Sequence, residues 1–105
     1  MTIEMQRPRH IRFAAVSAAC LAHLPELLAT WLPDGRRVGN EWVARNPRRD
    51  DRRPGSFKIN MRTGRWGDFA TGDAGGDVVG LYAYLNGLGQ IEAARELMDK
   101  LGVAR

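Results

Sequence analysis

Cysteine is nearly absent from this chain of 105 residues, where Cys20 stands alone. One thiol cannot form an internal disulfide, so nothing calls for an oxidising compartment and a cytoplasmic location is expected. Histidine is scarce too: His10 and His23 are the only two, and although His23 follows Cys20 by three residues, no second pair of thiolate or imidazole ligands exists to complete a site. A zinc site of thiolates and imidazoles is thereby excluded on residue type, and no cofactor is expected. No apolar run approaches the roughly eighteen residues of a membrane span. The nearest, residues 13–22, follows Arg7, Arg9 and Arg12 and has the length of a signal-peptide core. With Glu4 ahead of it, it reads instead as an alanine-rich helix. Lysine is the last shortage, since only Lys58 and Lys100 occur among 16 basic residues, so arginine carries the positive charge.

What is present is ordinary in amount and unusual in distribution. Hydrophobic content of 44% and charged content of 27% suit one small globular domain, 1–105, and argue against wholesale disorder. Residues 36–65 hold Arg36, Arg37, Arg45, Arg48, Arg49, Arg52, Arg53, Lys58, Arg62 and Arg65 against Glu41, Asp50 and Asp51, a local charge of +7 in a chain of net +4. The rest is therefore acidic. Guanidinium groups are planar, permanently charged and matched to phosphate, so a cluster of them points to a polyanionic partner.

The hydrophobic pattern divides the chain into a helical part (1–35), a β meander (36–77) and C-terminal helices (78–105). Leu24, Leu27, Leu28, Trp31 and Leu32 form one helical stripe behind Pro25, a residue suited to a first turn. Residues 37–45 read as one β segment, followed by a polar loop over 46–55. Residues 56–61 alternate Phe57, Ile59 and Met61 with Ser56, Lys58 and Asn60, a half-buried strand. Thr63 and Gly64 make a turn into 65–70, completing a hairpin. After the glycine-rich loop 71–76, Asp77 caps a helix over 78–86, with Val78, Leu81, Tyr82 and Leu85 inward. A last helix, 90–101, points Ile91, Ala94, Leu97, Met98 and Leu101 inward and closes at Gly102. Runs of one element type rather than alternation predict an α+β fold: a small antiparallel sheet flanked by N-terminal and C-terminal helices.

The catalytic inventory is thin, and no catalytic residue is assigned. Cys20, in an apolar helix, reads as a small core residue. Asp68, Asp73 and Asp77 lie on or beside a glycine-rich loop, where carboxylates can ligate a divalent cation. Their spacing matches no calcium loop, and each has a structural role available: Asp77 as helix cap, Asp73 in a turn, Asp68 on the exposed face of a strand. The loop 72–76 precedes a helix but lacks a Walker lysine. A third constellation is more specific. Trp42, Phe57, Trp66 and Phe69 interleave with Arg45, Lys58, Arg62 and Arg65, the combination with which sheet-based single-strand binders join base stacking to phosphate contacts. Parity puts Phe57 in the core and Lys58 outside; for Trp66, core and stacking both stay open. The expected nucleic-acid contacts are Arg45, Arg48, Arg49, Arg52, Arg53, Lys58, Arg62, Arg65 and Trp66.

The order of these motifs resembles a known family. Glu41-Trp42-Val43 as leading strand, Gly55-Ser56-Phe57-Lys58-Ile59 in place of a Pro-Ser-Phe strand, and Gly76-Asp77-Val78-Val79 as the step into a helix are similar to the N-terminal zinc-ribbon domain of bacterial and phage DNA primases, which precedes a Toprim catalytic core. The resemblance covers somewhat under half the chain. It places the family's two ligand pairs near Pro47 and Asp50 and near Phe69 and Gly72, none of which can serve. It therefore implies a metal-free branch in which Phe69 and its neighbours pack where zinc joined two loops. It further implies a non-catalytic domain of a phage, plasmid or other mobile-element primase, contacting single-stranded DNA template, with a primase catalytic domain or replicative helicase as protein partner. The alternative is a protein-interaction module of the same shape, whose mark would be an exposed stripe of Leu27, Leu28 and Trp31 or an exposed terminal helix.

Overall fold

The computed structural model describes residues 12–48 and 55–102. Among them are four helices and five strands: α1 (Phe13–Ala22), α2 (Leu24–Trp31), β1 (Arg36–Val38), β2 (Glu41–Ala44), β3 (Phe57–Asn60), β4 (Trp66–Asp68), β5 (Ala74–Gly75), α3 (Val78–Asn86) and α4 (Gln90–Leu101). The strands form one antiparallel meander in the order β1-β2-β3-β4-β5. The fold class is α+β, with the sheet flanked by a helical pair before it and another after it.

Alternation along each strand sends one set of side chains into the core. Ala44, Phe57, Ile59 and Trp66 are enclosed on that face, together with Val16, Cys20, Leu24, Leu28, Val78, Leu81 and Leu97 from the helices. Tyr84 of α3 lies against two inner rings of the sheet, with centroids 6.1 Å from Phe57 and 4.8 Å from Trp66. Indole N–H groups in such a core need acceptors. Trp66 Nε1 donates to the Asp77 carbonyl (3.2 Å), and Trp42 Nε1 to the Leu32 carbonyl (3.1 Å), tying β4 to the start of α3 and β2 to the end of α2.

The helix ends follow the local chemistry. Asp77 Oδ1 accepts from the Gly80 amide (2.7 Å), and Gly87 and Gly102 close α3 and α4 in the left-handed conformation that glycine adopts without a Cβ clash. The α2 stripe faces inward as its spacing predicts: Leu24, Leu28 and Leu32 are buried, with Leu27 and Trp31 packed beside them. No single helix among the described residues is long and apolar enough to cross a membrane.

Three expectations are corrected. The segment 37–45 is a hairpin, β1 and β2, reversing at Gly39 (φ 61°) and Asn40. β1 is Arg-Arg-Val, exposed throughout and without alternation, so the only sequence mark of this reversal is the Gly39-Asn40 pair itself. The loop 71–76 contributes an edge strand, β5, through backbone pairing that leaves no hydrophobic pattern. In α4, Ile91 is 52% exposed and Ala93 joins the expected Ala94 on the core side, because close packing against α1 and α3 favours small side chains there.

Candidate nucleic-acid interface

The ends of the β2–β3 and β4–β5 connections meet at a buried polar clasp. Asn46 Nδ2 donates to Asp68 Oδ2 (2.8 Å) and to the Tyr84 hydroxyl (2.8 Å). Tyr84 in turn donates to Asp73 Oδ2 (2.8 Å). The remaining oxygens accept from the backbone: Asn46 Oδ1 from the Arg48 amide, and Asp68 Oδ1 from the Ala70 amide, both at 2.8 Å. Asn46 and Asp68 are nearly inaccessible to solvent, at 1% and 2%, and no buried side-chain N or O among the described residues lacks a partner. Burial, the hydrogen bond to Asp73 and the Asp73 and Asp68 charges raise the Tyr84 phenol pKa, outweighing the lowering effect of the Asn46 bond. A phenol kept neutral keeps the proton it donates.

This donor set does not fit zinc. It consists of an amide, two carboxylates and a phenol already joined to one another through their own hydrogens, with no thiol or imidazole, and among the described residues no group of three His, Cys, Asp or Glu could hold a metal ion. Of the positions the resemblance assigns to zinc ligands, Pro47 and Gly72 lack a donor side chain, Phe69 points to solvent and Asp50 lies outside the described residues. Phe69, expected to pack in place of the metal, is 79% exposed. Asp68, expected on the exposed face, is buried and joins the two connections. One geometric fact underlies both corrections: Phe69 is out of phase with Trp66, whereas Asp68 is in phase with it.

The opposite face of the sheet is open. Its outward positions are Arg36, Val38, Glu41, Val43, Lys58, Asn60, Arg65, Gly67, Phe69 and Ala74; Val43, opposite Lys58, is covered at 7% exposed, and Arg62 lies exposed in the β3–β4 turn. A shallow groove of about 320 Å³ runs over it, bounded by Glu41, Lys58, Asn60, Arg65, Gly67, Phe69 and Ala74. The Lys58 ammonium stands 5.5 Å from the centre of the Phe69 ring, within reach of a cation–π contact. The turn carrying Arg62 and Arg65 is held by Asn60, whose side-chain oxygen accepts from the Arg62 and Thr63 amides at 2.8 and 3.1 Å.

The expected contact residues therefore separate into groups. Lys58, Arg62 and Arg65 lie on or beside the open face. Arg45 is paired with Asp34 (2.6 Å), and Arg48 is exposed at the clasp, 6.0 Å from the Tyr84 ring centre. Arg49, Arg52 and Arg53 lie outside the described residues. Trp66 takes the core alternative, 7% exposed and hydrogen-bonded, so its ring offers no stacking surface. Of Trp42, Phe57, Trp66 and Phe69 the exposed one is Phe69, and strand parity alone could have separated it from Trp66, since residues 66 and 69 cannot share a face of a regular strand.

Elsewhere, burial, with a smaller contribution from Asp77, pushes the Cys20 thiol up to about 11, so it stays protonated and unreactive at neutral pH. Asp77 acts as the helix cap, its carboxylate holding the Gly80 amide at the start of α3. The Leu27, Leu28 and Trp31 stripe is packed on the core rather than displayed, as is the inner face of α4.

No protein-family model matches the chain, and no curated protein matches it. Among solved structures it is similar to the zinc-binding and RNA polymerase domains of the Aquifex aeolicus primase, with a TM-score of 0.68 and 20% identity over 84% of this chain and 21% of that one. At that identity the likeness is one of fold. The chain spans about a fifth of the length of the structure it matches.

Proposed function

We propose that this chain is a non-catalytic, single-stranded-DNA-binding domain of a DNA primase, a zinc-ribbon-like module that has lost its zinc ligands and is closed by hydrogen bonds instead. The carrying observation is the open face of the sheet, where Lys58 and Arg65 border a groove edged by an exposed Phe69, with Arg62 in the adjoining turn. Cations that track a backbone, beside an aromatic on which a base can stack, are the two requirements of a single-strand binder. Similarity of fold to the primase zinc-binding and polymerase structure supports the primase context. In this reading primer synthesis is carried out by a separate catalytic domain, the partner of this one together with a replicative helicase, in the cytoplasm of a host of a mobile element.

Arg48 and Arg45 extend the basic surface past the clasp end of the sheet, and Arg49, Arg52 and Arg53 add charge through the same connection. Fluorescence anisotropy with a labelled single-stranded oligodeoxynucleotide tests the proposal. Affinity is expected to fall steeply between about 50 and 200 mM salt, the signature of counterion release. Absence of binding at low salt would refute it.

A further inference from the structure

Two glycines face each other's strands at the far edge of the sheet, and only one is required by the fold. Gly75 must be glycine: a Cβ there would lie 2.6 Å from the Trp66 ring. Gly67, in the middle of β4, has no such reason. A Cβ on it would meet only the Ala74 Cβ and the Asp73 carbonyl at 3.6 Å, ordinary contact distances, and its backbone is not in the left-handed region. Glycine inside a strand weakens it relative to alanine and often marks a place where something approaches the backbone closely.

The neighbours of Gly67 define what approaches. On the outward face of β4 the order is Arg65, Gly67, Phe69: a cation, a gap and an exposed ring. Across the strands the gap is bordered by Lys58 and by the small Ala74. It is the floor of the open groove, flat, bare and walled by an aromatic at one end. The carboxylate of Glu41 on the same groove disfavours a phosphate on the floor while suiting a base edge that carries an amino group. The cations lie around the margin, where a phosphodiester chain would pass.

We infer that the bare position at Gly67 is the seat of one unpaired nucleobase of single-stranded DNA, lying on the Gly67–Ala74 floor against Phe69, with its flanking phosphates held by Lys58 and Arg65. This rests on the proposed function and adds to it a single base-sized subsite, distinct from general attraction to the backbone. The groove and its charge arrangement commit the face to this occupant rather than to an apolar protein segment, which would leave Lys58 and Arg65 desolvated without partners.

The test compares a mixed-sequence oligodeoxynucleotide with an abasic oligomer of the same phosphate count, titrated against the wild-type chain, Gly67→Val and Phe69→Ala. Phe69 is exposed, so its variant folds as wild type; for Gly67→Val, circular dichroism and the unfolding midpoint check the fold. The wild-type chain is expected to prefer the base-bearing oligomer by about tenfold, within the range for one stacked base. Both variants are expected to lose most of that preference while binding the abasic oligomer as wild type does. A preference unchanged in the two variants, or a wild-type chain that binds both oligomers equally, overturns the subsite and leaves the DNA-binding proposal standing. A wild-type chain that binds neither oligomer overturns both.

Discussion

On β3, Phe57 and Ile59 are fully enclosed while Lys58 and Asn60, one residue along in each case, look out from the same four-residue strand. The two faces of the sheet are thus built from alternate letters of one short sequence but are decided by different forces. Inward residues answer to volume and to the need for every polar atom to find a partner. Exposed outward ones such as Lys58 and Asn60 answer to neither, so the residues found there carry information about what the face meets. Gly75 and Gly67 make the same contrast with a single residue type: the inner one is dictated by the Trp66 ring and the outer one by nothing among the described residues.

The contrast is most easily broken with the two phenylalanines. Phe57 is completely buried against Trp66 and Tyr84, so Phe57→Ala is expected to cost about 3–5 kcal/mol in chemical denaturation. Phe69→Ala, on the other face, is expected to stay within about 0.5 kcal/mol of wild type. A comparable loss from both would show that Phe69 packs in solution and that the open face is not open.

Next in size is the clasp. Asp68→Ala leaves the buried Asn46 amide short of an acceptor and is expected to cost about 1–3 kcal/mol. The same unfolding curve recorded with and without a metal chelator is expected to give one midpoint, because hydrogen bonds rather than a metal join the two connections. A chelator-dependent midpoint would mean that these loops hold a cation after all.

Alkaline titration sharpens the comparison from the core side, where the groups with displaced ionisation lie. Burial holds the Cys20 thiol near 11 rather than 9.0, and burial together with the Glu96 hydrogen bond holds the Tyr82 phenol near 12 rather than 10.0. Their folded-state values exceed their unfolded ones, so the stability they contribute is complete below about pH 9 and is lost as pH rises through 11 to 12. Unfolding midpoints are expected to be level to pH 9 and to decline above it, and Cys20→Ala is expected to delay the onset towards pH 10, the ordinary value of the phenols. A midpoint level through pH 11 would contradict the buried placement of these groups.

How much of this was legible beforehand follows from how local each signal is. The helices α3 and α4 were readable to the residue because Asp77, Gly87 and Gly102 mark their ends chemically. The Phe57 strand was readable from its alternation. The Asn46–Asp68 bond was not, since it joins residues 22 apart and exists only once the register of three strands is set. Trp66 and Phe69 were grouped by composition, although their odd separation already placed them on opposite faces. Ile91 was misplaced because its side chain competes with Ala93 and Ala94 for one crowded side of α4, and tertiary crowding leaves no mark in periodicity.

The smallest effect is expected within the basic surface. Arg45 forms an exposed ion pair with Asp34, whereas Arg62 and Arg65 make no ion pair among the described residues. Exposed pairs of this kind contribute about 0–1 kcal/mol, so Arg45→Ala is expected to change stability little. Its charge is already largely balanced by Asp34, and a phosphate would have to compete with that carboxylate. Arg62→Ala, by contrast, removes a cation that faces solvent, and is expected to flatten the logarithmic salt dependence of oligonucleotide binding by about 0.7, the contribution of one phosphate contact to a single strand. Arg45→Ala is expected to flatten it by clearly less. Equal changes would mean that Arg45 leaves Asp34 on binding, and that the DNA path runs from the open face across the β2 end of the sheet rather than ending at its turn.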